Sequence, residues 1–150
     1  MFTRTGRDFV VSGATRPVVT ARAGRIRLRL LNATAGDHLL LAVTAVNGKS
    51  SRIHLIATDA GLIERPVPLT EILLAPGERA EILVATTTPG RLTLRAMPYS
   101  VYGDGGQQST DRALAGIDIP ADLTPIALPA SLLPVEKLAR PPPSAPAGSS

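Results

Sequence analysis

Period-two alternation constrains this chain more than any other feature. From Arg25 to Leu31, the residues Ile26, Leu28 and Leu30 fall on one side and the arginines between them on the other. From Arg91 to Met97, Leu92, Leu94 and Ala96 face one way and Arg91, Thr93 and Arg95 the other. Successive Cβ atoms of an extended chain point to opposite faces, so this pattern suits a half-buried strand and not a helix. Further short apolar runs occupy Asp8 to Val11, Arg16 to Ala21, Leu39 to Val46, Arg52 to Ala57, Thr70 to Leu74 and Arg79 to Ala85, with a last one from Arg112 to Ile119. Turn residues separate most of them: Ser12-Gly13, Ala23-Gly24, the small polar stretch Asn32 to Asp37, Asn47-Gly48, Asp59-Ala60-Gly61, Ala75-Pro76-Gly77-Glu78 and Thr86 to Gly90. Short strands with regular turns predict an all-β sandwich or barrel with helix nearly absent. Pro17, Pro66, Pro68 and Pro98 are expected at strand ends or edges, where a missing N–H does least harm.

A chain of 150 residues with 44% hydrophobic content can bury a real core. Aromatic residues are only 3% and Trp is absent, so that core is built from Val, Leu, Ile and Ala. With no Cys, disulfide frameworks, thiolate metal sites and Cys nucleophiles are excluded. With only His38 and His54, a site needing three imidazoles is excluded too.

The net charge is +4, and arginine supplies nearly all of the positive charge; Lys49 and Lys137 are the two lysines. The tightest basic set, Arg22, Arg25, Arg27 and Arg29, is read as the solvated face of a strand. A base-stacking surface needs exposed aromatic rings, and Phe2, Phe9, Tyr99 and Tyr102 are too few and too scattered, so nucleic acid is not an expected partner. No run approaches the roughly 18 apolar residues of a membrane span. Arg4 and Arg7 are followed by no apolar stretch, so no signal peptide is expected in this chain. That fits either a cytoplasmic protein or a piece of a longer exported one.

The character changes after Tyr99. Gly103-Asp104-Gly105-Gly106-Gln107-Gln108 reads as a loop. From Pro120 onward the chain holds eight of its 14 prolines, Pro141-Pro142-Pro143 among them, and ends in small polar residues. Residues 1–119 are therefore expected to form the domain and 120–150 a Pro-rich linker or tail. Leu128, Leu132, Leu133, Val135 and Leu138 are too apolar for a free tail, and are expected to lie along the sandwich or along a neighbouring domain.

Few residues offer chemistry. His38 follows Asp37 in a loop and reads as an exposed loop histidine; His54 reads as a strand histidine with an ordinary hydrogen bond. A metal site would need both to converge with a third donor, and Met97 is the one plausible soft donor in the body. Asp59 and Glu64 are close enough in sequence to suggest an acid–base pair, and Glu71, Glu78 and Glu81 offer others. The plainer reading has these carboxylates balancing Arg65 and Arg79. No nucleophile elbow and no Gly-Lys-Ser/Thr phosphate loop occurs. The Gly103 to Gly106 cluster is not followed by a helix, so it is no dinucleotide loop. Asn32 is expected to bond backbone at a bend, Asp59 to do similar work before Gly61, and Pro76-Gly77 to set a reverse turn.

Three stretches together resemble the middle, second domain of three-domain multicopper oxidases of the laccase type. They are Gly24-Arg25-Ile26-Arg27-Leu28-Arg29-Leu30-Leu31-Asn32-Ala33-Thr34; Ile56-Ala57-Thr58-Asp59-Ala60-Gly61-Leu62-Ile63 with Pro66-Val67; and Glu71-Ile72-Leu73-Leu74-Ala75-Pro76-Gly77-Glu78-Arg79-Ala80-Glu81-Ile82-Leu83-Val84. Leu94-Arg95-Ala96-Met97-Pro98-Tyr99 completes the run. The similarity covers about Asp8 to Tyr99, and Ile126 to Val135 resembles the connection into that family's third domain. It departs at Ser51-Arg52-Ile53, where the family often has His-Pro-Phe, and at Ala60, which replaces a common Gly.

The resemblance implies a cupredoxin-like (plastocyanin-like) Greek-key β-sandwich or barrel. It also implies a role without catalytic, cofactor-binding or metal-binding residues of its own. In that family the outer domains carry the coppers, on His-X-His pairs and a His-Cys-His stretch that this chain lacks. The chain alone would not be an oxidase. Copper would belong to a parent oxidoreductase that couples substrate oxidation to dioxygen reduction, with the flanking cupredoxin domains as partners and the periplasm, or another exported location, as its place. The family also has copper-free relatives in the bacterial envelope, a cell-division scaffold among them, which makes a non-enzymatic binding platform the rival reading. A free-standing sandwich that self-associates through Leu-rich edges is a third.

Overall fold

A computed structural model describes residues 8–22, 24–85, 88–100, 111–122, 124 and 126–134. Among these residues every regular element is a strand: β1 (Val10–Val11), β2 (Ala14–Thr15), β3 (Val18–Thr20), β4 (Arg25–Leu31), β5 (Leu39–Ala45), β6 (Ile53–Thr58), β7 (Gly61–Leu69), β8 (Glu71–Leu74), β9 (Arg79–Ala85), β10 (Gly90–Met97) and β11 (Arg112–Ile119). β1 and β2 form a small antiparallel hairpin. The others form two sheets, a five-stranded one ordered β3-β11-β10-β5-β8 and a four-stranded one ordered β4-β9-β6-β7. All pairings are antiparallel except β3 with β11. The chain changes sheets repeatedly, passing from β4 to β5, from β5 to β6 and again from β7 through β8, β9 and β10. The all-β expectation holds.

The core lies between the sheets, and the alternation in the sequence supplies it. Leu39, Leu41 and Val43 of β5 and Leu92, Leu94 and Ala96 of β10 face Ala80, Ile82 and Val84 of β9 and Ile53 of β6. Ile26, Leu28 and Leu30 pack on the same cluster from β4, while Arg27 and Arg29 stay exposed. Ile53, Ile82 and Val43 are wholly inaccessible to solvent. Burying each such side chain contributes about 1.5–3 kcal/mol, which is how a core without Trp holds together.

Two elements differ from the sequence reading. The stretch Gly61–Leu69 forms a nine-residue strand, where Asp59-Ala60-Gly61 promised only a closing turn. Pro66 and Pro68 conceal it, because proline cannot donate to a ladder. β7 is an edge strand, so its outer side needs no donors, and its pairing with β6 jumps from Leu55↔Val67 to Ala57↔Leu62 around a bulge. The second difference is the pair Ala14–Thr15, too short to carry a periodic signal. Asn47-Gly48 does turn, with Gly48 at φ 78° and its N–H donating to the Ala45 carbonyl. The strands it joins then diverge into different sheets.

Beyond β11 the chain runs back over the four-stranded sheet. Gly24 N–H donates to the Thr124 carbonyl at 3.1 Å and Arg25 Nη1 to the Ala127 carbonyl at 2.7 Å. At the opposite edge, Leu132 N–H donates to the Glu64 carbonyl at 2.9 Å. Leu128 and Leu132 are half-buried, whereas Leu133 is exposed. Val135, Leu138, the Pro141-Pro142-Pro143 run and the Gly103 to Gln108 loop lie outside the described residues. Among the described residues no helix is long and apolar enough to cross a membrane.

Candidate functional site

The two histidines belong to different parts of the sandwich: only His54 lies in a sheet. His54 sits on β6, where its neighbours across the ladder are Leu83 and Pro68. Leu83 alternates with the core residues Ile82 and Val84, so His54 faces outward with it. His38 precedes β5 in the other sheet, and its ring centroid lies 6.3 Å from that of Tyr99. It is half-buried, and not exposed as a loop histidine would be. Nor does His54 make the ordinary hydrogen bond expected of it: the Nδ1 atoms of both rings are buried without a partner. Burial first, and the Arg52 charge second, hold the His54 imidazole below its usual pKa. Met97 pairs with Leu40 in the five-stranded sheet, remote in topology from His54. A type-1 copper centre wants two imidazoles, a thiolate and a thioether converging. This chain has no thiolate, and its two imidazoles do not converge, so the described residues do not fit that metal. Among them no group of three or more His, Asp or Glu could hold a metal ion.

The candidate carboxylates lie apart: Glu71 is exposed at the start of β8 in the five-stranded sheet, and the others are engaged separately. Asp59 accepts from Arg79 Nε at 2.9 Å and from the Arg79 backbone N–H, bracing the start of β9; the expectation that it would bond its own turn is corrected. Hydrogen bonds from Arg79 keep its carboxyl below the usual range. Glu81, on the outer face of β9, is clamped by Arg27 and Arg29 from β4. Glu78 accepts from Ala75 N–H at 2.8 Å and caps its own turn. Glu64 lies 3.9 Å from Arg65, and its backbone carbonyl accepts from Leu132 N–H. Asp118 and Asp111 pair with Arg91 and Arg95 on β10. No carboxylate pair is poised for acid–base work among these residues.

Glu81 carries a pH prediction. The Arg27 hydrogen bond, then the two arginine charges, lowers its pKa. A carboxylate with a depressed folded pKa stabilises fully above its unfolded value, and the contribution disappears as pH falls through the folded one. Glu81→Gln therefore flattens the acid limb of stability against pH and leaves its shape near neutrality unchanged. Urea midpoints across the acid range check this, and added salt shrinks the difference because the arginine side chains are exposed.

Asn32 is the residue with the most polar contacts buried at one point. Only 1% of it is accessible. Its Nδ2 donates to the Asp37 carbonyl at 2.7 Å and to the Leu74 carbonyl at 2.9 Å. Its Oδ1 accepts from Thr34 N–H at 3.1 Å and Thr34 Oγ1 at 2.8 Å. Its backbone exchanges bonds with Glu78 and Gly77. The Pro76-Gly77 turn closes beside it, with Gly77 at φ 84° and Glu78 N–H donating to Ala75, as the type II signature requires. Asn32 thus ties the end of β4, the Thr34–Asp37 bend and the β8–β9 turn together, which is architecture.

One cleft of ≈ 210 Å³ lies between the β1–β2 hairpin and β11, lined by Asp8, Phe9, Thr15, Arg16, Arg112 and Ala113. Arg112 stacks over the Phe9 ring at 5.4 Å. That volume is below the roughly 300 Å³ of a typical small-molecule site, and opposite charges already line it. Two features escaped the sequence reading altogether: this stacked arginine and the orphan ring nitrogens. Both arise from contacts between distant segments.

No protein-family model matches the chain. By sequence, it is 38% identical over 91 residues to the cell division protein FtsP of Dickeya dadantii, covering 61% of this chain and 18% of that protein. It is 40% identical over 91 residues to FtsP of Proteus mirabilis, with the same coverage. The chain thus spans about a fifth of the length of the curated relatives it matches. By structure, it superposes on a multicopper oxidase of Campylobacter jejuni with a TM-score of 0.75 and 26% identity, covering 93% of this chain and 28% of that one. The McoA multicopper oxidase of Aquifex aeolicus gives a TM-score of 0.75 at 22% identity, covering 91% and 30%. The fold is the cupredoxin fold of the multicopper oxidases, and the chain is a cupredoxin-like domain related to them.

Proposed function

We propose that this chain is a copper-free structural domain of a larger exported protein, a spacer that holds its neighbours in fixed relation. The observation that carries the reading is the separation of the histidines, His38 just before β5 of the five-stranded sheet and His54 on β6 of the four-stranded one, in a chain without cysteine. Asn32, Asp59 and Glu78 brace turns, and Glu81, Asp111 and Asp118 are taken up in ion pairs with arginine. The multicopper oxidases it resembles in fold favour a middle domain that orients copper-binding partners on either side, within an oxidoreductase acting on dioxygen. The flanking domains of the same parent are then its partners, and copper belongs to them.

A second reading has a specific observation behind it. The sequence relatives at 38–40% identity are named cell division proteins. On that reading the parent is a non-enzymatic scaffold of the cell envelope, and this domain is part of its binding platform. The parent's flanking sequence separates the two: His-X-His pairs on both sides support the oxidase, and their absence supports the scaffold. For this chain both readings give the same expected result. Titration with copper leaves no stoichiometric complex and no blue absorption band. A tight one-to-one complex abolished by His54→Gln would overturn the spacer role.

A further inference from the structure

The segment between Ala127 and Leu132 has little freedom in its course. Ala127 is tied to Arg25 on β4 and Leu132 to Glu64 on β7, the two opposite edges of the four-stranded sheet. Three strand spacings amount to about 14 Å. Five residues span about 17 Å at full extension. The Ala127 anchor is the Arg25 guanidinium, on the outer side of β4, so a segment of this length between the two anchors runs over the outer face of β9 and β6. Burial on that face agrees: Leu83 is 7% accessible and Ala57 4%, yet neither belongs to the cluster between the sheets. His54 stands beside Leu83 on the same face.

We propose that His54 is a proton-operated latch for this strap: protonation of its imidazole releases the 126–132 segment from the sheet while the sandwich stays folded. The buried Nδ1 has no acceptor, so a proton added there would be a donor without a partner. The charges around it offer no compensation. Arg52 lies two positions away, just before β6, and is exposed. Arg27 of β4 occupies the same cross-strand row, through Leu83. Glu81 of β9 lies one row on, and Arg27 and Arg29 already hold it. β7 contributes Pro68 to the row, and its Glu64 and Arg65 lie farther along the bulged strand. The strap from Ile126 to Pro134 has no charged side chain. The ring as a whole is half-buried, but its Nδ1 is shut off from solvent, and on this course of the strap that atom gains water when the strap lifts. The strap is the part able to move, since it is held by a few exposed hydrogen bonds and not by a ladder.

The sign follows from the direction of the shift. A histidine whose folded pKa is depressed favours the closed state above its free value, and loses that contribution as pH falls below it. The test is hydrogen exchange on the full chain at about pH 7.5 and about pH 5, with protection factors corrected for intrinsic exchange. Protection of the Leu132 amide is expected to fall several-fold at the lower pH, while the β4–β9 ladder amides keep theirs. In His54→Leu, and in the polar but non-titrating His54→Gln, strap protection no longer depends on pH. His38→Gln retains the dependence of the native chain. Three results would overturn the latch: constant strap protection in the native chain, loss of β4–β9 protection in step with the strap, or unchanged pH dependence in both His54 variants.

Discussion

Asn32→Ala lowers the free energy of unfolding by about 3–5 kcal/mol, the largest effect expected of a polar substitution in this chain. The substitution removes four side-chain hydrogen bonds at a site with 1% accessibility. It takes the Asn32 donor from the Leu74 carbonyl and the acceptor from the Thr34 N–H, while the Asp37 carbonyl keeps its bond from Thr34 Oγ1. Leaving a buried polar group unsatisfied costs about 1–3 kcal/mol, and the losses here share one network, so they do not simply add. Asn32→Asp is worse than its size suggests. The Nδ2 that donated to two carbonyls becomes an oxygen facing them, and a buried charge appears with no cation within the network. Thr34→Ala removes only part of the network and is expected to cost about 1 kcal/mol. Urea unfolding of the three variants, with the denaturant slope unchanged, checks the order Asp, Ala, then Thr34→Ala. Equal values for Asn32→Ala and Thr34→Ala would mean that solvent enters the bend and satisfies the freed groups.

Local pattern was enough for most of the fold, and the reason lies in the strands themselves. β4, β9 and β11 match the predicted bounds Arg25 to Leu31, Arg79 to Ala85 and Arg112 to Ile119. Each pairs on at least one side with a strand of matching alternation, and each has one face in the core. β7 was missed because an edge strand needs neither alternation nor donors along its free side, and two prolines removed the remaining signal. Asn32 was legible as a residue that bonds backbone at a bend, but not as a bridge to Leu74, forty-two positions away. The histidines were misread for the same reason. His38 was expected to be exposed and is half-buried, and His54 was expected to bond through its ring and its Nδ1 has no partner; both outcomes depend on contacts that the local pattern does not carry. The apolar leucines of the tail hinted that it would lie on something; only the hydrogen bonds from Arg25 and to Glu64 show on what.

Ile82 and Leu83 are adjacent on β9 and test the two faces of the four-stranded sheet against each other. Ile82 is wholly buried between the sheets, with Leu28 and Leu55 as its ladder partners. Leu83 is nearly as buried, but on the outer face, beneath the course inferred for the strap. Truncation of a buried aliphatic residue costs the transfer free energy plus a cavity term that depends on how far the surroundings can collapse. Around Ile82 the neighbours are hydrogen-bonded strands on both sides and cannot close in. Ile82→Ala is therefore expected to cost about 4 kcal/mol. Around Leu83 one wall is a short segment held at its ends, free to settle by a few tenths of an ångström. Leu83→Ala is expected to cost about 2 kcal/mol, near the lower limit for such changes. The two variants should also differ in kind. Ile82→Ala lowers protection of every ladder amide together, because it acts on the cooperative core. Leu83→Ala lowers protection of the strap more than that of β4 and β9, because its contacts form outside that core. Denaturant midpoints and amide exchange on the same two proteins check both statements. Equal costs with identical exchange patterns would mean that strap and sandwich unfold as one unit, and the outer face would then have to be counted as a second layer of the core.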